Sequence, residues 1–293
     1  MTKRGYSQWA ESEDGTFSPV GSTVAEIQPG YYDLASDTSG RIFFVPLRSR
    51  TDDLLQFPDS ASLSVLEGLK DFWAREDRFR RYGLPFKRGI LMYGPPGSGK
   101  SCTVQLVARD VVQRGGIVLT FVPGLFLRAY RALRDIQPDI PVVALMEDLD
   151  GIFDSSSRAT VSSILNLLDG VEELDRVVFL ATTNYPEKLE DRVQNRPSRF
   201  DIKILVPRPS AAARRLYLEA LVKEDDDLDI TAYVNASEGL SLAHLKELFV
   251  AVHILGNPFE ETAERIQGMR EAASSRNDDA PKSPSPYAPG GYA

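Results

Sequence analysis

Eight consecutive residues of this chain have the types and the spacing to bind phosphate. An apolar run at residues 90–93 precedes them and a helical pattern follows, which is the setting in which such a loop binds nucleotide phosphates. Glycines let the backbone turn its N–H groups toward an anion at the N-terminus of a helix. We expect Lys100 to contact the β- and γ-phosphates and the Ser101 hydroxyl to bind Mg²⁺. The predicted phosphate-binding residues are Gly94, Pro95, Pro96, Gly97, Ser98, Gly99, Lys100 and Ser101.

Two carboxylates follow a second apolar run. Residues 141–146 lead directly into Glu147 and Asp148, and the carboxyl end of a strand in an open parallel sheet is where ligands bind. Successive residues of a strand point to opposite faces, so the two carboxylates must have different tasks. We expect one to hold Mg²⁺ through its water shell and the other to orient the attacking water. A purely structural role would bury two adjacent carboxylates without a counter-ion, which is costly.

Polar residues with affinity for phosphate also follow later apolar runs. Asn184 comes after the run at residues 177–181, and beside the Glu147 strand it could hydrogen-bond the γ-phosphate or the attacking water. Arg196 and Arg199 precede the last predicted strand. Guanidinium groups suit phosphate because their donors bind bidentately and remain charged. In this order after the other motifs, we predict that both arginines are catalytic.

Strands and helices alternate between residues 89 and 206, which favours a parallel sheet with helices on both faces. Beyond Pro209 the patterns are helical only, so we predict an α/β core followed by a small all-α domain. The predicted strands lie near residues 90–93, 117–122, 142–146, 177–182 and 202–206, and the helices near 62–82, 100–113, 125–136, 159–168, 212–222, 242–255 and 259–272.

The predicted organisation is an N-terminal segment at 1–60, an α/β core at 61–208, a helical domain at 209–273 and a disordered tail at 274–293. Two aromatic runs at residues 30–34 and 41–45 flank a turn and predict a β-hairpin of unknown role. The helix at 62–82 presents Arg75, Arg78, Arg80 and Arg81. We interpret these arginines as a solvated face, with a subunit contact or a nucleic-acid surface as alternatives.

Composition and charge narrow the class of protein. The chain has 293 residues and a formal net charge of −8, which argues against non-specific binding to a polyanion. Cys102, the single cysteine, excludes an internal disulfide; we place it in the nucleotide-binding segment as a small helix residue without redox function. No apolar stretch approaches the roughly 20 residues that cross a bilayer. The first residues also lack the apolar part of a signal peptide, so we predict a cytoplasmic protein that does not contact a membrane.

The four motifs together resemble the AAA family of ATPases, within the wider AAA+ group of P-loop NTPases. The resemblance extends from about residue 82 to residue 251, and residues 238–245 look like the lid segment near the nucleotide. It implies an α/β core with a helical lid, Mg-ATP bound between them, and assembly into a ring that is commonly a hexamer. The resemblance also implies that Arg196 and Arg199 reach the γ-phosphate of the neighbouring subunit, which can be worth about 10³ to 10⁵ in rate.

Two features depart from the common family pattern. The acidic pair is reversed to Glu147-Asp148, as in the branch that includes the mitochondrial translocase of the Rieske iron–sulfur protein. By position, Glu147 would take the metal and Asp148 the role of base. The connection at residues 121–141 lacks the aromatic-hydrophobic-Gly pore loop of peptide-threading relatives, and we expect Phe126 and Tyr130 to pack inside the fold. Conformational work on a folded client therefore fits better than threading.

These observations predict a Mg²⁺-dependent ATPase that assembles as a ring and remodels or moves a macromolecular client, for which protein is favoured. One alternative is an AAA+ protein that handles nucleic acid, such as a helicase loader, in which case DNA should stimulate hydrolysis with a steep salt dependence. Another is an ATP-gated scaffold that scarcely hydrolyses ATP, an alternative that the reversed acidic pair allows.

Overall fold

The computed structural model describes seven stretches of the chain, which divide into two compact units. The first unit contains Ala61–Gly94 and Lys100–Leu205 together with the strands that precede them, and the second contains Pro95–Gly99 and the chain from Val206 onward. Among the described residues, no helix has the length and apolar character needed to span a membrane. The described stretches are residues 8–11, 17–20, 22–47, 61–170, 174–189, 199–222 and 228–278.

Among the residues that the structure describes, the first unit contains nine strands. They are β1 (Gln8–Glu11), β2 (Phe17–Val20), β3 (Gly30–Ser36), β4 (Ile42–Pro46), β5 (Lys87–Tyr93), β6 (Ile117–Thr120), β7 (Val142–Met146), β8 (Val177–Thr183) and β9 (Ile202–Leu205). The first two pair with each other, and the other seven form one sheet in the order β4-β3-β6-β7-β8-β5-β9. Within this sheet β3 and β4 are antiparallel and all other neighbours are parallel. Every residue of β7 and β8 is buried, as expected for strands covered on both faces.

The described helices divide between the two units. The first unit contains α1 (Ala61–Trp73), α2 (Glu76–Arg81), α3 (Lys100–Gln113), α4 (Phe126–Ile136), α5 (Leu149–Ser155), α6 (Arg158–Asp169) and a 3₁₀ turn at Pro186–Lys188. The second contains α7 (Ala211–Leu221), α8 (Ile230–Ala236), α9 (Leu242–Phe249), a π-helical segment at Val250–Ile254 and α10 (Phe259–Asp278). Ser210, Asp229 and Ser241 cap α7, α8 and α9 by accepting the backbone N–H three residues later.

Each unit has its own apolar core. In the first, side chains from β6, β7 and β8 pack with α4 and α6, and Phe126 and Tyr130 of α4 are only 1% and 3% exposed. The prediction that these two aromatics pack inside the fold is therefore confirmed. In the second unit, Leu218 of α7, Leu245 of α9 and Ile266 of α10 form the centre of a smaller core.

The predicted α/β fold with a following set of helices is confirmed, and so is the N-terminal hairpin. The two strands of this hairpin, β3 and β4, pair around the turn that follows Ser36. The hairpin does not stand apart from the core, because β3 pairs in parallel with β6 and extends the sheet by two strands. Tyr32 and Leu34 on β3 are buried in the first unit's core. The sequence did not predict this junction, since the paired segments lie far apart along the chain.

The helix predicted at residues 62–82 is instead two helices. The chain turns after Trp73, and Arg75 takes φ −114° and ψ 17° before α2 begins. The turn lets Phe79 of α2 and Phe72 of α1 both contact Phe86, with ring centroids 5.2 and 4.2 Å away. Packing onto Phe86 therefore outweighs the continuous helical pattern of the sequence.

Two helices were not predicted and one is longer than expected. Both α5 and α8 have seven residues, which is too short for a 3.6-residue period to be recognised. The last helix, α10, continues to Asp278, five residues into the tail that was expected to be disordered from residue 274. The first proline of that tail is Pro281. Residues 274–278 therefore include no proline that would end the helix.

Replacing Gly89 with alanine should strongly destabilise the first unit. A Cβ at Gly89 in β5 would lie 2.2 Å from the Arg199 carbonyl oxygen and 3.0 Å from the Phe200 Cα, and both are backbone atoms that cannot move aside alone. We expect Gly89→Ala to lower the free energy of unfolding by at least about 2 kcal/mol in chemical denaturation.

The matched control is Gly68→Ala in α1, where an added Cβ meets nothing within 4 Å. This substitution should raise stability by about 0.5 to 1 kcal/mol because alanine favours a helix interior. Equal stability of the two variants would contradict the close approach of β5 to the Arg199–Phe200 backbone.

Candidate active site

Register within the parallel sheet brings the predicted site residues together. Tyr93 at the end of β5 lies opposite Thr183 of β8, and Met146 at the end of β7 lies opposite Ala181 of the same strand. The residues after β5, β7 and β8 therefore emerge at one edge of the sheet. Ligands bind at this carboxyl edge in open parallel sheets.

The predicted phosphate-binding residues form a loop between β5 and α3. Gly97 and Gly99 have φ values of 71° and 103°, which side chains other than that of glycine rarely adopt. Lys100 begins α3, and its buried Nζ donates a hydrogen bond to the Gly94 carbonyl oxygen at 2.7 Å. Burial lowers the pKa of Lys100, and the nearby carboxylates Asp148 and Asp150 oppose this effect.

Glu147 and Ser101 lie next to each other. The Glu147 carboxylate accepts a hydrogen bond from the Ser101 side chain, which lowers the Glu147 pKa. Desolvation by the surrounding protein and repulsion by Asp148 outweigh this bond, so the pKa of Glu147 is raised above the ordinary glutamate value. A hydroxyl beside a carboxylate is a pair of hard oxygen donors, which fits a magnesium ion that also contacts phosphate oxygens.

Asp148 contacts a different partner. Its φ and ψ are 51° and 57°, a left-handed conformation that is uncommon for a residue with a side chain. The Asp148 backbone N–H donates to Thr182 Oγ1 at 3.0 Å, and Asn184 Nδ2 donates to Asp148 Oδ1 at 3.4 Å. The turn after β7 thus directs Asp148 toward Asn184, while Glu147 lies beside Ser101.

Asp150, Thr182 and Thr183 also belong to the site, although the sequence did not single them out as functional residues. Asp150 is only 8% exposed, and its Oδ1 accepts a hydrogen bond from Thr183 Oγ1 at 2.6 Å. The signal that could have found these residues is a third acidic residue close behind Glu147 and two threonines directly before Asn184.

Arg199 is paired inside its own subunit. Its Nε and Nη2 donate to the two carboxylate oxygens of Asp169 at 2.8 and 2.7 Å, and the residue is 6% exposed. Arg196 lies outside the described residues. The roles of both arginines toward a neighbouring subunit therefore stay predictions, and for Arg199 such a role would require the pair with Asp169 to open.

Cys102 lies on a helix, as its pattern suggests, whereas the role of residues 238–245 as a lid near the nucleotide stays a prediction. Cys102 is on α3 and partly buried, and burial raises the pKa of its thiol, which makes it less reactive. Within the second unit, Gly97 lies so close to Ser241 that a Cβ at residue 97 would be 2.7 Å from the Ser241 hydroxyl oxygen. That hydroxyl also hydrogen-bonds His244 Nδ1 at 2.6 Å.

The fold and this edge of the sheet define the class of protein. A parallel sheet, a glycine-containing loop before a helix, a buried lysine at that helix and carboxylates on an adjacent strand together form the nucleotide-binding core of a P-loop NTPase. Residues 90–208 match the model of the ATPase family associated with various cellular activities (AAA). The matched range includes the phosphate-binding loop, Glu147, Asp148 and Asn184, so this part of the chain is similar to the ATPase domain of that family.

Similar proteins include members with different cellular tasks. The ATP-dependent zinc metalloprotease FtsH of Acidothermus cellulolyticus is 32% identical over 61% of this chain and 30% of its own length. The probable mitochondrial chaperone bcs1 of Schizosaccharomyces pombe is 31% identical over 64% of this chain and 43% of its own. The 26S proteasome regulatory subunit 10B homolog A of Arabidopsis thaliana is 25% identical over 76% and 58%. This chain thus spans less than two thirds of the length of each of these relatives.

Replacing Glu147 with glutamine should stabilise the ligand-free chain at neutral pH. Because the folded-state pKa of Glu147 is raised, the folded chain binds this proton more tightly than the unfolded chain does, and stability falls as the pH rises through that range. Glutamine removes the charge and can still accept from Ser101. We expect Glu147→Gln to raise the midpoint of thermal unfolding at pH 7.5, with the gain disappearing below the ordinary glutamate pKa of 4.5.

Glu219→Gln is the control, because Glu219 is exposed on α7 in the second unit. It should leave the midpoint nearly unchanged at both pH values. A Glu147→Gln midpoint at or below that of the wild-type chain at pH 7.5 would contradict the unfavourable charge at Glu147.

Proposed function

We propose that this chain hydrolyses ATP in the presence of Mg²⁺ within a ring of identical subunits, and that hydrolysis remodels or moves a protein client. The observation that carries the proposal is the separation of the two acidic residues after β7. Glu147 lies beside Ser101, whereas Asp148 lies beside Asn184. A metal ligand and a water-orienting base need this kind of separation.

The roles of the residues follow from their positions. The N–H groups of the loop and Lys100 Nζ would bind the β- and γ-phosphates, with the ammonium exchanging the Gly94 carbonyl for phosphate oxygens. Ser101 and Glu147 would hold Mg²⁺, which supplies charge neutralisation of the phosphates. Asp148 would accept the proton of the attacking water, and Asn184 would orient that water or contact the γ-phosphate.

Ring assembly is proposed from the two arginines that precede β9. In a head-to-tail ring each subunit can offer the same residues to its neighbour's site, and an arginine supplied this way stabilises the transition-state charge. We assign this task to Arg196 and Arg199. A hexamer is the assembly that the family resemblance favours.

A folded protein is the proposed client. The names of the relatives above include a protease, a proteasome regulatory subunit and a chaperone. Phe126 and Tyr130 on α4 are buried, so neither of these aromatics is available to grip an extended chain. This burial favours movement of a folded client over threading.

A nucleic-acid client has less support. Arg75 forms an ion pair with Asp71 at 2.8 Å. Arg80 forms an ion pair with Glu76, and both of these residues lie on α2. These acidic partners partly neutralise the face that would have to attract phosphates.

Asp148→Asn should abolish turnover without abolishing binding. Loss of the general base is expected to lower kcat by about 10² to 10⁴, with the dissociation constant for a fluorescent ATP analogue near the wild-type value. Lys100→Ala should instead weaken binding of that analogue. Phosphate release and fluorescence titration measure the two effects. Normal turnover by Asp148→Asn would overturn the assignment of the base, and an inert wild-type chain at saturating Mg-ATP would favour the ATP-gated scaffold.

Mixing two inactive variants should restore activity if the arginines act between subunits. In a ring with random mixing of Asp148→Asn and Arg196→Ala subunits, about one interface in four combines an intact base with an intact neighbouring arginine. Phosphate release should recover to about that fraction of the wild-type rate. As a control, Asp148→Asn mixed with the double variant Asp148→Asn/Arg196→Ala should stay inactive. No recovery in the first mixture, after subunit exchange is verified, would contradict action between subunits.

A further inference from the structure

We propose that Asp150 and Thr183 are positioning residues that hold Asn184 against Asp148. Neither residue has a role in the mechanism above, yet both lie buried at the edge of the sheet where the substrate would bind. The inference rests on the proposed ATPase function and adds two residues to it. It concerns only residues in the first unit that the structure describes.

The first support is a pair of hydrogen bonds on either side of Asn184. Thr183 is fully buried, and its Oγ1 donates to Asp150 Oδ1 at 2.6 Å. The same oxygen accepts the backbone N–H of Tyr185 at 3.1 Å. One hydroxyl thus ties the residue before Asn184 to the residue after it and to α5. The backbone of Asn184 is thereby held at the end of β8.

The second support is the matching contact of Thr182. Its Oγ1 accepts the backbone N–H of Asp148 at 3.0 Å, and Asp148 has the left-handed backbone described above. Such a conformation costs free energy and persists only where neighbouring contacts hold it. The two threonines therefore fix both partners of the Asn184–Asp148 contact, which measures 3.4 Å in the ligand-free chain.

The chemistry of the pair argues against simple packing. A buried carboxylate pays a desolvation cost, and an apolar pair of similar volume would fill the space at lower cost. A role in positioning Asn184 gives the hydrogen bond between Asp150 and Thr183 a use that packing alone does not.

Three substitutions separate the hydrogen bond from the charge and from the packing. Thr183→Val keeps the shape of the side chain and removes the hydroxyl, whereas Thr183→Ser keeps the hydroxyl. Asp150→Asn keeps an acceptor oxygen and removes the charge. Thr262→Val is the matched control, because the Thr262 hydroxyl is also buried and donates to the Pro258 carbonyl at 2.8 Å in the second unit.

We expect Thr183→Val to lower kcat by about 10- to 100-fold, since small displacements of reacting groups have effects of this size. The dissociation constant for a fluorescent ATP analogue should stay within about twofold, because phosphate binding by Lys100 is untouched. Thr183→Ser, Asp150→Asn and Thr262→Val should retain most of the wild-type kcat. If Thr183→Val does not fold in a thermal unfolding assay, Asp150→Ala takes its place.

A double-mutant cycle with Asn184→Ala gives the decisive comparison. If Thr183 acts through Asn184, then Thr183→Val should have no further effect on kcat once Asn184 is alanine. Full additivity of the two substitutions would overturn the inference. Normal kcat in Thr183→Val, or an effect on nucleotide binding alone, would also overturn it while leaving the ATPase proposal intact. An inactive wild-type chain would instead refute the ATPase proposal itself.

Discussion

Parallel pairing of β7, β8 and β5 is the constraint on which the site depends. These strands are neighbours in the sheet, and their carboxyl ends differ by only a few residues in register. The phosphate-binding loop, the acidic pair and Asn184 each follow one of the three strands. A shift of β8 by one residue would turn its side chains to the other face and would separate Thr182 from the turn at Asp148.

Electrostatic strain at this edge follows from the same pairing. Glu147, Asp148 and Asp150 lie within four consecutive residues, and Asp148 raises the pKa of Glu147. The charges of Asp148 and Asp150 also act on Lys100, where they oppose the lowering of its pKa by burial. Desolvation and the neighbouring Asp148 raise the pKa of Glu147, and the hydrogen bond from Ser101 only partly opposes this effect. Sites that bind highly charged ligands are often less stable than they could be, since the ligand supplies the missing interactions. The reversed order of the acidic pair does not prevent each carboxylate from having a distinct partner.

Contacts between residues near in sequence could be predicted, and contacts across the sheet could not. The apolar run at residues 142–146 and the helix at 100–113 match β7 and α3 residue for residue. An apolar run and a helical period can both be recognised from residues that are neighbours in sequence. The pairing of Arg199 with Asp169 spans 30 residues, and that of Thr183 with Asp150 spans 33. Both contacts depend on which strands become neighbours in the sheet. A single sequence does not contain that information in a form that can be read directly. The break between α1 and α2 was missed for a related reason, since it is caused by aromatic packing and no helix-breaking residue marks it.

The hairpin of β3 and β4 makes residues 30–46 part of the seven-stranded sheet that carries the candidate site. Without it, β6 would present an unpaired parallel edge to solvent, together with the apolar surface that Tyr32 and Leu34 now cover. Open edges of this kind invite pairing with other chains. A version of the protein shortened to begin at α1 would therefore retain every residue assigned to nucleotide chemistry and still be prone to aggregate. A force applied to the chain before β3 would act on the sheet through the backbone hydrogen bonds that β3 makes with β4 and β6.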